Sequence, residues 1–219
     1  MAQAIAQGRK VVVYQPRDPA ALSRVVTIFL YVDVGASVLG AATDILQLTL
    51  LGAADPNGAL ALMVGLTGLL QVILFAVCGF LCLKWIYRTS LNAHALARDM
   101  TNSPAWSVGW FFVPFASLWK PFQAVRETWQ VSVDPASWRS VPTPGLLRSW
   151  WGCWLVANIL GNISLRLQMD ATSVGGLAPS DLAELAQDLV SVPQDLLFIM
   201  IVRRLCAMQV AALSRQVFE

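Results

Sequence analysis

Apolar positions along this chain fall into long unbroken blocks instead of alternating or marking a single helical face. From Asp18-Pro19 to about Leu51 nothing interrupts the first block, and the second, Ala59–Ile86, carries no charge before Lys84. Two more lie at about 147–165 and 181–202. About 20 apolar residues, each rising 1.5 Å in a helix, cover the ~30 Å hydrocarbon core of a bilayer. The pattern therefore predicts an all-α fold: a polytopic membrane helical bundle with four transmembrane helices at about 23–51, 59–86, 147–165 and 181–202. Asp18 suits an N-cap and Pro19 the first helical position. The polar stretch at 53–58 and the sequence TSVGGLAPS at 172–180 supply turns.

A fifth apolar run, AWSVGWFFVPFASLW at 105–119, is too short to span and is broken by Gly109 and Pro114. An amphipathic turn or two follows, with Trp119, Phe122, Arg126 and Trp129 at helical spacing. Residues 105–132 are thus expected to form a Trp/Pro-rich re-entrant or interfacial segment, ahead of a loop at 134–145. The remainder reads as a flexible arm at 1–17 and a single membrane domain at 18–219.

Composition sharpens this reading. The chain is 57% hydrophobic and 13% charged, about half the charge of an ordinary globular domain, and its mean hydropathy is +0.61. A net charge of +2 gives no reason to expect nucleic acid. The first 24 residues hold no apolar core long enough to predict a cleavable signal peptide, so the first spanning helix is expected to act as its own insertion signal. Basic residues favour the cytoplasmic side of short loops. With both termini inside and 105–119 returning to the side it came from, all of the 15 Lys and Arg residues except Arg166 fall inside. A fifth span would push part of this set out. Eight tryptophans, from Trp85 to Trp151, then fall near the cytoplasmic interface, the depth that indole rings prefer.

The run RTSLNAHALARDMTNSPAWSVGWFFVPFASLWKPFQAVRETW at 88–129 resembles the bacterial membrane family DUF4328. The resemblance rests on Ser103, Pro104, Trp106, Gly109, Trp110, Pro114, Leu118, Trp119, Pro121, Glu127 and Trp129, and departs at Ser117, where asparagine is expected. It implies a multi-span integral protein, of an inner membrane if bacterial. It implies no activity, because the family is a domain of unknown function.

Candidate chemistry lies on the spans. Asp33, Ser37, Gly40, Asp44 and Gln47 share one face of the first helix, as do Asp188, Ser191 and Asp195 on the last. Asn158 and Asn162 share a face of the third, and the second offers Gln71. A lipid-facing carboxylate costs about 3 kcal/mol or more, so these faces are expected to turn inward. Distance from Arg24 and Arg203 puts Asp33 and Asp195 in an inner layer, with Asp44 and Asp188 further out. Two readings stay open: hydrogen-bonded carboxyls with Asn partners gluing helices together, or a cation or proton path. The Trp/Pro segment is equally either a rigid anchor or a docking platform, with Arg126 and Glu127 as solvated charges. Cys78, Cys82, Cys153 and Cys206 lack C-x-x-C spacing, and His94 stands alone in an expected polar loop, so neither metal, cofactor nor catalysis is expected. The function read from the sequence is a non-enzymatic membrane module whose Trp/Pro segment docks a membrane or cytoplasmic protein partner or lipid headgroups. The alternative is a small homo-oligomeric cation or proton transporter using the aspartates.

Overall fold

The computed structural model describes residues 15–50, 58–97, 99–170 and 179–218. Most of the arm and the turns expected at 53–58 and 172–180 lie outside these residues. All regular elements among them are helical: α1 (Ala20–Leu50), α2 (Ala59–Leu96), α3 (Pro104–Gly109), α4 (Lys120–Val133), α5 (Gly145–Asp170) and α6 (Pro179–Phe218). Three of them, α1, α2 and α6, are long and apolar enough to cross a membrane. α5 has 26 residues, about 39 Å of helix.

At the start of α1 the Asp18 carboxylate accepts the Ala20 N–H at 2.8 Å, the expected cap. α2 runs on to Leu96, past the end expected at Ile86. His94 is accordingly helical, its Nδ1 against the Ser90 carbonyl at 2.8 Å, and not in a loop. No glycine or proline lies between Ile86 and Leu96 to stop the helix, and polarity alone does not end one. α6 passes straight through Pro193. A proline there removes the hydrogen bond to the Leu189 carbonyl, a defect that membrane helices tolerate when neighbours re-satisfy the backbone.

The chain divides into two compact units. One comprises Ala21–Trp85 and Thr143–Arg204. Its polarity is inverted relative to a soluble protein. Only 17% of the most apolar stretch of α2 is buried, and Leu62, Leu66, Leu69, Val72, Ile73 and Phe75 point outward. Ser23, Ser37, Thr43, Asp44, Thr67, Asp188 and Asp195 are buried instead. A surface of that kind calls for lipid, not water.

Aromatic packing joins the helices of this unit. Trp85 of α2 is fully buried, its indole donating to the Ser23 hydroxyl of α1 at 2.9 Å. Phe198 of α6 meets Trp85 edge-on at 5.6 Å and stacks on Trp150 of α5 at 5.0 Å. Trp151 and Trp154 continue the stack at 4.5 Å. Trp85, Trp150 and Trp151 are therefore packing residues buried in protein, which an interfacial belt alone does not require.

The second unit comprises Ile86–Pro142 with the segments Met1–Ala20 and Leu205–Glu219. Its centre is a buried amide pair. Asn92 accepts the Arg17 N–H, and its amide donates to the Arg17 carbonyl at 2.9 Å and to Gln209 Oε1 at 3.0 Å. Gln209 in turn donates to the Thr89 carbonyl and to Ser132. Beside it Val131, Ala93, Ala97 and Trp138 form a small apolar core. At its edge Asp99 accepts from the Trp138 indole at 2.9 Å and pairs with Arg139 at 2.9 Å. Chiefly that indole hydrogen bond, assisted by Arg139, holds the Asp99 carboxyl below the usual carboxylate range.

Two outcomes follow for the fold. Trp85→Ala should cost about 3 kcal/mol, a large aromatic lost from a packed site, while Trp85→Phe should cost much less; thermal unfolding in detergent separates them. For Asp99, a folded-state value below the unfolded one means stabilisation that is present at neutral pH and lost as acid protonates it. Acidification below the usual carboxylate range should release the Trp138 loop in the parent, read by indole fluorescence, and Asp99→Asn should remove that acid transition.

Candidate functional site

Two candidate sites stand out, one in each unit. In the first unit α1, α2, α5 and α6 line an open-sided cavity of about 630 Å³. Four carboxyl groups line it, those of Asp33, Glu184, Asp188 and Asp195, and no Lys, Arg or His does among the described residues. Asp33 and Asp195 contact each other through their side chains, from α1 and α6. Asp195 Oδ1 accepts from the Gln194 amide at 3.2 Å, while its Oδ2 is buried without a hydrogen-bond partner. Two ionised carboxylates offer each other no donor, so a proton or a cation is needed to satisfy that contact.

Asp188 Oδ2 accepts from the Gln71 amide of α2 at 2.8 Å. Gly40 of α1 makes room for this bond: a Cβ there would run into the Asp188 carboxylate and the Gln71 amide. Asp44 is buried beyond the cavity lining, with Oδ2 unpartnered. Towards the same end Gln47 donates to Asp181 at 3.3 Å, and Gln168 to Glu184 at 3.1 Å. Asn158 and Asn162 line the cavity, yet their amides bond back to the Trp154 and Asn158 carbonyls of their own helix. Glutamines donate to these acids; residue type and spacing singled out Gln47 and Gln71, but not Gln168 or Gln194.

In the second unit the Trp/Pro residues build a folded turn. Ser103 caps α3 by accepting the Trp106 N–H at 3.4 Å, with Pro104 at its first position. Trp106 packs on Trp110 at 4.4 Å, and a Cβ on Gly109 would press the Trp106 ring at 3.1 Å. Lys120 sits over the Trp110 ring at 5.4 Å. Between the two short helices the backbone makes a tight turn at Phe115, whose φ of 62° is the one positive value outside glycine among the described residues. The Ala116 N–H bonds to the Pro114 carbonyl across it at 2.7 Å. A γ-turn of this hand is strained, at a cost of order 1–3 kcal/mol. Pro121 opens α4, and Trp129 is buried.

Glu127 is a correction. It is only 5% exposed, not a solvated charge. Its carboxylate accepts the Asn102 N–H at 3.2 Å, and the Asn102 side chain accepts from the Trp110 indole at 3.0 Å. Glu127, Asn102 and Trp110 thus form one relay that ties α4 to the start of α3. Asn102, Asn92 and Gln209 were missed in the sequence, because a lone amide announces its partner only once the fold brings it near. Arg126 Nε, next along α4, is buried without a partner.

Among the described residues no three His, Cys, Asp or Glu converge. Cys78 donates weakly to the Phe29 carbonyl at 3.5 Å, as a small buried side chain does. Gln71→Leu should leave Asp188 without its donor and cost about 1 kcal/mol in thermal unfolding. Gly40→Ala should act through the same bond, so combining the two changes should cost less than their sum.

No curated protein and no solved structure matches the chain. A family model does match, over residues 49–207, taking in both tryptophan clusters and the acidic helix α6 but almost none of α1. The chain belongs to the family of the domain of unknown function DUF4328.

Proposed function

We propose that this is a four-span, non-enzymatic membrane module whose Trp/Pro-rich turn seats in the cytoplasmic bilayer interface among lipid headgroups. α5 is the fourth span. Its length and its packing through Trp150 against Phe198 of α6 support that assignment. The distribution of basic residues supports placing both termini in the cytoplasm.

One observation carries the lipid reading. The turn exposes a run of large apolar side chains: Trp106, Phe112 (72% exposed), Phe115 (79%), Leu118 and Trp119. The Glu127–Asn102–Trp110 relay and the prolines hold the backbone beneath them, so the rings project from a rigid base. Aromatic rings beside a lysine suit the headgroup depth, where indoles lie and a cation attracts anionic lipid at about 1 kcal/mol per charge. The chain already carries membrane-crossing helices, so a bilayer is the apolar phase within reach.

A nitroxide at Phe112→Cys tests this, in a chain whose four native cysteines are replaced and which is reconstituted in anionic liposomes. Its collisions with oxygen should exceed those with a water-soluble nickel chelate, and a label at Ala136→Cys should show the reverse. Equal chelate access at both positions would remove the interfacial assignment.

A further inference from the structure

On the outer surface of the first unit the Arg203 guanidinium of α6 lies over the Tyr31 ring of α1, 5.6 Å from its centroid. Both residues are exposed, on a surface that otherwise calls for lipid. Gly40 lies against Asp188 and Asp33 against Asp195, so the two helices run antiparallel and share a level at Asp33 and Asp195. From that level Arg203 stands eight residues along α6 and Arg24 nine along α1, at matching heights about 12–14 Å away. They are the first charges met in that direction. Tyr31 is only two residues, about 3 Å, from the same level.

The Arg203 side chain therefore reaches back towards the apolar level. Helix geometry favours this, because Cα–Cβ bonds tilt to the helix N-terminus, which for α6 is the bilayer side. A cation near the end of a spanning helix ordinarily extends the other way, to water and headgroups. The Tyr31 ring supports this one through its face. A ring face opposes the charge but offers no oxygen to the five N–H donors. No carboxylate supplies one either, since among the described residues the one ion pair is Arg139–Asp99. Asp33, two residues on from Tyr31, is turned away to Asp195.

The surroundings say which anion fits. Arg24, Ile28 and Tyr31 form an exposed stripe on α1, and Leu196, Met200 and Arg203 form one on α6, each spaced by 4 and 3 residues. Each stripe is apolar on the bilayer side of its cation. Arginine matches a phosphate with two parallel hydrogen bonds, and acyl chains match the apolar positions. A soluble anion would gain nothing from Ile28, Leu196 and Met200. We infer that the seam between α1 and α6 binds the phosphate of an anionic phospholipid, which Arg203 holds from its seat on Tyr31, with Arg24 at the same height and the chains along Ile28, Leu196 and Met200. This site requires α1 and α6 to cross a bilayer but does not rest on the aromatic turn of the other unit.

Native mass spectrometry of the full chain in a non-ionic detergent, titrated with dioleoyl phosphatidylglycerol, reads the first retained lipid. Phosphatidylglycerol should be retained at a concentration at least fivefold below that needed for phosphatidylcholine, and Arg203→Gln should abolish this preference. Tyr31→Leu should weaken it while Tyr31→Phe keeps it, as a ring contact requires. Lys120→Gln, on the aromatic turn, should leave it unchanged. Equal retention of phosphatidylcholine would mark an ordinary surrounding lipid, and competition by low-millimolar inorganic phosphate a free-anion site; either overturns the assignment. So would a preference that survives in Arg203→Gln, disappears in Lys120→Gln, or is the same in both Tyr31 variants. The two lipids and the phosphate competition use the unaltered chain, so no misfolded variant can protect the idea.

Discussion

Placing carboxylates on helices that are otherwise apolar is the constraint on which the membrane unit depends. Each acid turned towards lipid would cost about 2.5–3.5 kcal/mol. Asp33 and Asp44 of α1, with Asp188 and Asp195 of α6, therefore dictate which faces of those helices meet, and Leu, Val and Phe are left outside. The polar faces are not simply pressed together. Gly40 leaves room for Gln71 and Asp188 to bond against the backbone of α1, while Asp33 and Asp195 meet carboxyl to carboxyl.

The second unit solves a different problem, how to fold backbone that is neither long helix nor strand. A segment with Pro114 and Pro121 cannot run as one helix, so its polar groups need partners of other kinds. Ser103 caps one end, Asn102 and Glu127 brace the indole of Trp110, and a strained γ-turn at Phe115 reverses the chain. The family motif makes physical sense in these terms. Ser-Pro is a cap followed by a first-turn proline, and the glutamate two residues before the last tryptophan is a buried acceptor. Rigidity bought this way lets large rings stand exposed without collapsing onto the protein.

Side-chain amides recur wherever either unit is joined. Gln71 serves Asp188, the Asn102 side chain serves Trp110, and Asn92 with Gln209 ties the residues before α1 to α2, α4 and α6. An amide carries both donor and acceptor without charge, so it can bridge buried groups at no ionic desolvation cost. Pro193 fits the same picture from the backbone side, because it frees the Leu189 carbonyl on the helix that carries Asp188 and Asp195.

Much was legible from the chain alone. Uninterrupted apolar blocks can only be helices in lipid, so the helical class, the long apolar helices α1, α2 and α6 and the cap at Asp18 follow from residue type and length. The tryptophan and proline spacing carried the family. Helix faces placed the acids on shared stripes, since periodicity is a local property. Tertiary structure decided everything that requires two distant segments to meet. It chose glutamine over asparagine as the partner of the acids and buried Glu127, Trp85 and Trp150, which composition reads as surface or interface. It carried α2 through His94, and it opened a cavity where periodicity predicts only a polar stripe. The physical reason is the same in each case: local sequence sets which way a side chain points along its own helix, and only packing sets what it finds there.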